Sequence, residues 1–272
     1  MTTTASDRKI LFGVCTGDFN DIQILRDIGY DYVEMSVGMA FEPTKTDAEW
    51  APMKEKILSA ALPLRACNGF LPGTLRLTGP DADFPPALEY AATACRRADE
   101  VGCQYIVFGS GGARNVPAGF QIEEGRDQFA DFCGQLAKAI ADCKVTVVIE
   151  PLRPSESNIV QYVWQGMQIV EEVNSPRIQQ LADIYHMMMG REPAESILRA
   201  GSHLQHCHVA CNKTRAYPGS ADKAELVPYF DALHQIGYTG GVSCECSWGK
   251  KEEFEKNLDT AIATLKSLEA QA

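Results

Sequence analysis

The chain has 272 residues, of which 45% are hydrophobic and 22% charged, with a formal net charge of −11. That is enough chain for a large core and lies within the size range of a single α/β barrel. The acidic balance argues against a nucleic-acid partner, which needs basic stripes. No apolar run approaches the roughly 20 residues that cross a bilayer, and the opening "MTTTASDRKILFGVC" lacks a basic region followed by a long apolar one. A cytoplasmic protein without a membrane partner is expected, organised as one domain over residues 1–272.

In chain order, a short β-branched strand is predicted over 10–15, followed by a helix over 21–29 and strands over 31–37 and 62–70. A helix over 87–102, a strand over 103–110 and a helix over 126–143 follow. Then come a strand over 145–150, a helix over 164–174, strands over 178–185 and 203–209, and a helix over 226–237. A strand over 241–248 and a helix over 253–270 close the series. Several of the helices end at glycine or asparagine, as helix C-termini prefer. No linker or composition shift divides the chain. Eight strand–helix alternations fit an α/β (β/α)8 TIM barrel. An open doubly wound sheet would carry a GxGxxG turn after its first strand, and "CTGDFND" has no such glycine pattern.

Ten cysteines are scattered without framework spacing and read as reduced, buried small hydrophobes. Cys207 and Cys211 beside His206 and His208, with Cys244 and Cys246, could suggest zinc. Yet Cys244 and Cys246 point away from the strand face that carries Glu245, and tetrahedral zinc sites usually use closer CxxC pairs.

Catalytic groups in such barrels sit at the C-terminal strand ends. "VTVVIEPLRPSE" (145–156) ends an apolar strand in Glu150. The following strands end in Asp183, His208 and Glu245. Two-residue alternation puts Thr146, Val148 and Glu150 on one face and leaves Val145, Val147 and Ile149 for the helices. By the same count Leu181 lies with Asp183, His206 with His208, and Ser243 with Glu245. Three carboxylates and one imidazole suit a hard or borderline divalent ion such as Mn²⁺ or Mg²⁺. Glu34 and Asn68, near the ends of strands two and three, fall toward the same pocket but outside the catalytic set.

"IEPLRPSESN", "LADIYHM", "HCHVACNKTRAYPG" and "SCECSW" resemble the motifs of the xylose isomerase-like sugar isomerases and epimerases, including ketose 3-epimerases of the tagatose 3-epimerase type. "FGSGGARNVPAGF" (108–120) also looks like a loop of that superfamily. The resemblance implies that Glu150, Asp183, His208 and Glu245 bind the metal, with Mn²⁺ favoured and Mg²⁺, Co²⁺ or Zn²⁺ as alternatives. It implies that Glu150 and Glu245 are the acid/base pair, and that Glu156, His186 and Arg215 contact the substrate. Two departures surround the substrate. The stretch from His208 to Arg215 is one residue longer than in the 3-epimerases and lacks their acidic residue, and Pro154-Ser155 replaces an aromatic-containing pair.

The implied reaction removes a weakly acidic proton beside the carbonyl of a small sugar or keto-sugar and returns it, with a divalent ion stabilising the enediolate charge. C3 epimerisation is favoured. The alternatives are an aldose–ketose or hydroxypyruvate-type isomerase, a keto-polyol dehydratase or lyase, and a non-catalytic sugar-binding barrel. An endonuclease IV-type site needs more histidines than the five present. Homo-oligomerisation is left open.

Taken singly, these residues have plainer readings. Glu150 would be a solvated rim residue, Asp183 a helix N-cap, His206 a barrel-interior residue and His186 a packing residue. Glu156 and Arg215 would pair with each other or face solvent. "GSGGAR" reads as a tight loop at the strand-four mouth, with a phosphate cradle as the alternative.

Overall fold

The computed structural model of the chain describes residues 9–271; the opening stretch 1–8, read above for targeting, lies outside them. Eight parallel strands close into a barrel in sequence order: β1 (Leu11–Cys15), β2 (Tyr32–Ser36), β3 (Leu64–Asn68), β4 (Tyr105–Phe108), β5 (Thr146–Ile149), β6 (Ile178–Asp183), β7 (Leu204–Val209) and β8 (Gly241–Cys244). The ring is completed by β8 pairing with β1. Helices over Asp21–Ile28, Phe84–Val101, Ile122–Ala139, Val163–Val173, Lys223–Gln235 and Phe254–Glu269 correspond to the predicted six.

The alternation on β5 and β6 sorts as expected. Val148 and Leu181 form a small apolar plug inside the barrel with Val107 and Tyr105. Val145, Val147 and Ile149 join the large core between sheet and helices. Cys207 and Cys244 lie in that outer core, and all ten cysteines are unpaired. Among the described residues, no helix is long and apolar enough to cross a membrane.

All eight strands are shorter than the predicted spans, that over 103–110 covering only Tyr105–Phe108, and three of the differences are informative. The strand predicted over 62–70 covers Leu64–Asn68. That over 178–185 stops at Asp183, because its carboxylate accepts the His186 N–H at 3.2 Å and caps a short helix, Ile184–Met189. That over 241–248 stops at Cys244, and Ser247 instead bridges to Ala216 in the loop after β7. A helix over Asp47–Leu58 was not expected. Thr46 and Glu49 form its capping box, but Pro52 inside it masks the helical pattern.

Two register slips shape the mouth. Gln180 pairs with Leu204, but the next residue, Leu181, pairs with His206, so one extra residue of β7 is absorbed. The slip sets Asp183 directly beside His208. A similar slip in β3 lies opposite Val33 and Glu34.

Candidate metal centre

Glu150, Asp183, His208 and Glu245 each contribute one ligand atom to a group in which all four atoms lie within 4.8 Å of one another. His208 Nδ1 is 3.0 Å from Glu150 Oε1 and 3.8 Å from Glu245 Oε2. All but Glu245 are buried. The four sequence-predicted ligands therefore converge, although they come from four different strand ends.

The loop after β4 makes room for Glu150. A Cβ on Gly109 would meet Glu150 Oε2 at 2.2 Å, and one on Gly111 would meet the Glu156 carbonyl oxygen at 2.3 Å. Arg114, fully buried, donates to the carbonyls of Phe108 (3.0 Å) and Glu150 (2.8 Å) and so clamps the two strand ends together. Burial draws its pKa down to about 10 while the Glu150 charge opposes. "GSGGAR" thus seats the carboxylate of the next strand.

The electrostatics are those of a site short of positive charge. Burial pushes the Glu150 carboxyl above its ordinary range, against the hydrogen bond from His208. Asp183 is pushed up to about 6 by burial, with His208 opposing and Glu245 adding to the rise. For His208, burial is outweighed by Glu34, Glu245 and the hydrogen bond to Glu150, which hold its pKa well above the ordinary imidazole value. Charges that retain a proton on Nδ1 would equally retain a cation there. The donor set, the mutual spacing and the under-donated carboxylates all fit a divalent ion. Cys15, Glu34 and His208 form a second compact group. Burial and then the Glu34 charge push the Cys15 thiol up, which disfavours a thiolate there in the protein alone.

The predicted substrate residues line the mouth. Arg215 donates to Glu245 Oε2 (2.5 Å) and Glu156 Oε1 (3.3 Å), so the pairing of Glu156 with Arg215 is present. His186 Nδ1 accepts the Arg153 N–H at 3.4 Å, leaving Nε2 as the N–H. That buried nitrogen has no hydrogen-bond partner and points between Asp183 Oδ2 (3.5 Å) and Glu156 Oε2 (3.8 Å). Burial lowers the His186 pKa, which keeps the ring neutral.

Arg153 was not anticipated, whereas Asn68 and Glu34 fall toward the pocket as expected and gain partners there. Arg153 donates to Glu156 Oε1 (2.6 Å) and to the Tyr185 hydroxyl, and both Arg153 and Arg215 lie over the Tyr185 ring. Asn68 donates to Glu245 Oε1 at 3.2 Å. Beneath the ligands, Glu34 accepts from His208 Nε2 and His206 Nε2, each at 2.9 Å. The inward parity of Glu34 on β2 was the available signal, and His206 is the barrel-interior residue anticipated.

Known proteins share these features in part. A probable ketose 3-epimerase of Synechocystis is 30% identical over 111 residues, 40% of this chain. This chain spans only 38% of that relative's length. An L-ribulose 3-epimerase of Mesorhizobium japonicum is 25% identical over 254 residues, 89% of this chain and 79% of the relative. The crystal structure of D-psicose 3-epimerase with D-tagatose from Clostridium cellulolyticum H10 superposes with a TM-score of 0.82 over 96% of this chain and 99% of that one. Its identity of 17% limits that likeness to the fold. Residues 22–268 match the family described as xylose isomerase-like TIM barrel, and the chain belongs to it.

Proposed function

We propose that this chain is a divalent-metal-dependent sugar isomerase or epimerase, acting as one catalytic domain on a ketose or keto-sugar, with epimerisation at C3 favoured. The observation that carries this is the convergence of Glu150 and Glu245, with Asp183 and His208, on one buried point at the barrel mouth. Ketose 3-epimerase names among the relatives support the same reading. Three oxygen donors and one imidazole favour Mn²⁺, with Mg²⁺, Co²⁺ or Zn²⁺ as alternatives.

A cation held by the four residues would supply the positive charge that offsets negative charge developing on the substrate oxygens. Glu150 and Glu245 are the proton-transfer pair: one carboxylate takes the proton beside the carbonyl and the other returns it from the opposite face. His186 Nε2–H, without a partner in the protein, donates to a substrate oxygen. Arg215 steadies Glu245 and can donate to a hydroxyl, and Glu156 accepts from another. Glu150 and Asp183 are themselves shielded from bulk water, whereas Glu245 is partly exposed.

The test is a panel of ketoses and keto-polyols incubated in D₂O with Mn²⁺. Deuterium at C3 accompanied by the C3 epimer is the expected outcome. Label at C1 or C2 with aldose formation would move the assignment to isomerase, and loss of water from the substrate to dehydratase. Saturable binding without any exchange would make the chain a sugar-binding barrel and end the catalytic proposal.

A further inference from the structure

We infer that Glu34 is a positioning residue for the metal centre, fixing which nitrogen of His208 faces the other ligands. The inference rests on the proposed function only in taking Glu150, Asp183, His208 and Glu245 as a cation site.

Glu34 is fully buried in the barrel interior, against His208. Its Oε1 accepts from His208 Nε2 at 2.9 Å. Its Oε2 accepts from His206 Nε2 at 2.9 Å and from Ser243 Oγ at 2.7 Å. The Ser243 hydroxyl donates there and therefore receives the Tyr32 hydroxyl at 2.8 Å as an acceptor. A protonated carboxyl could donate to only one of these three partners, whereas an ionised carboxylate satisfies all three with both oxygens engaged.

An imidazole has two nitrogens, and the hydrogen bond made by one decides the role of the other. With Nε2–H committed to Glu34, only Nδ1 remains for a cation, and Nδ1 is the atom beside Glu150 and Glu245. Carboxylates that hold the far N–H of a liganding histidine orient the ring and raise its basicity.

The floor is braced so that Glu34 cannot swing away. His206 stacks on Tyr105, with centroids 5.5 Å apart. Tyr32 lies across the barrel in space left by Gly13 and Gly241, where a Cβ would meet its ring at 2.2 Å and its hydroxyl oxygen at 2.6 Å. A glutamine at position 34 would turn one acceptor into an NH₂ group. Facing His208, that NH₂ would demand a lone pair at Nε2, move the proton to Nδ1 and block the ligand position.

The test is calorimetric titration of wild type, Glu34→Gln and Glu34→Asp with Mn²⁺ alone, alongside circular dichroism. Glu34→Gln should bind Mn²⁺ about tenfold or more weakly while retaining wild-type secondary structure, with Glu34→Asp intermediate. A purely packing role would lower Tm and leave the Kd of the folded protein unchanged, and that result overturns the inference. Should Glu34→Gln fail to fold, histidine ¹⁵N NMR of the Mg²⁺-loaded wild type decides. The expected signature is His208 protonated on Nε2 and bare on Nδ1, and the reverse tautomer refutes the role. Wild type that binds Mn²⁺ but exchanges no substrate proton would defeat the proposed function and leave this inference standing. Wild type that binds no divalent ion would defeat the inference itself.

Discussion

Two layers of the barrel interior use the same residue types and reach opposite electrostatic states. In the floor, Glu34 is surrounded by three donors, and the His208 and His206 imidazoles hold its carboxyl far below the usual range although burial works against them. In the mouth directly above, Glu150 has one side-chain donor, His208, and Asp183 has one backbone donor, yet both are buried and both are pushed up. Burial disfavours a charge unless hydrogen bonds or opposite charge compensate. The Glu34 carboxylate finds its donors within the protein, although His206 Nδ1 beside it has no partner, whereas Glu150 and Asp183 in the mouth are left under-compensated. This difference, more than the presence of acidic residues, marks where the chemistry sits.

The sharpest way to break the comparison is to neutralise the mouth. Glu150→Gln and Glu245→Gln each keep one oxygen but remove a base that must ionise, so each should lose more than about a hundredfold in turnover. Metal content must be matched first, since both side chains belong to the ligand group. If the two carboxylates serve opposite faces of the carbon, a metal-loaded variant should still exchange the proton of one epimer, with the preference reversed between variants. Unimpaired turnover in either would remove that residue from the pair.

A second, smaller effect sharpens the contrast through pH. The folded-state pKa of Asp183, about 6, lies above its ordinary value of 3.8. In metal-free protein its contribution to stability is therefore fully present below the lower value and lost as pH rises through about 6. A cation needs the ionised form and relieves that loss. The Tm increase produced by saturating Mn²⁺ should thus be larger near about pH 7.5 than near about pH 5, and should vanish with EDTA. An equal or larger increase at the lower pH would contradict the picture of an under-compensated mouth.

The smallest expected effect is in the floor. Ser243→Ala removes one donor from Glu34 and leaves Tyr32 without its acceptor. The cost should be about 1.5 kcal/mol or somewhat more, since the lost bond is to a charged group. Thermal unfolding should show a fall in Tm of several degrees. A neutral result would mean that the floor is not held by these hydrogen bonds.

Much of the architecture was legible from local pattern. β-branched runs at near-regular spacing, broken by amphipathic stretches, specify eight strand–helix units. Two-residue alternation alone assigns Val148 and Leu181 to the interior and Val147 and Ile149 to the outer core, as found. Placing Glu150, Asp183, His208 and Glu245 at strand ends follows from the same period, because the side-chain direction of a strand residue is a local property. The helix over Asp47–Leu58 carries a local signal, the Thr46–Glu49 capping box, although Pro52 lies inside it.

What the tertiary structure alone decided is register, depth and partnership. Parity puts both His206 and His208 inward, and only their heights in the closed barrel make one a floor residue and the other a member of the ligand group. Asp183 stands beside His208 because of a one-residue slip between β6 and β7, and no periodicity announces such a slip. Glu34 and Glu150 are both glutamates at the inward face of a strand. One meets three donors from β7 and β8, the other a single imidazole, because the barrel brings those strands to different levels around them. Local sequence sets which way a side chain points, whereas the charge state of a buried group depends on neighbours that are far away in the chain.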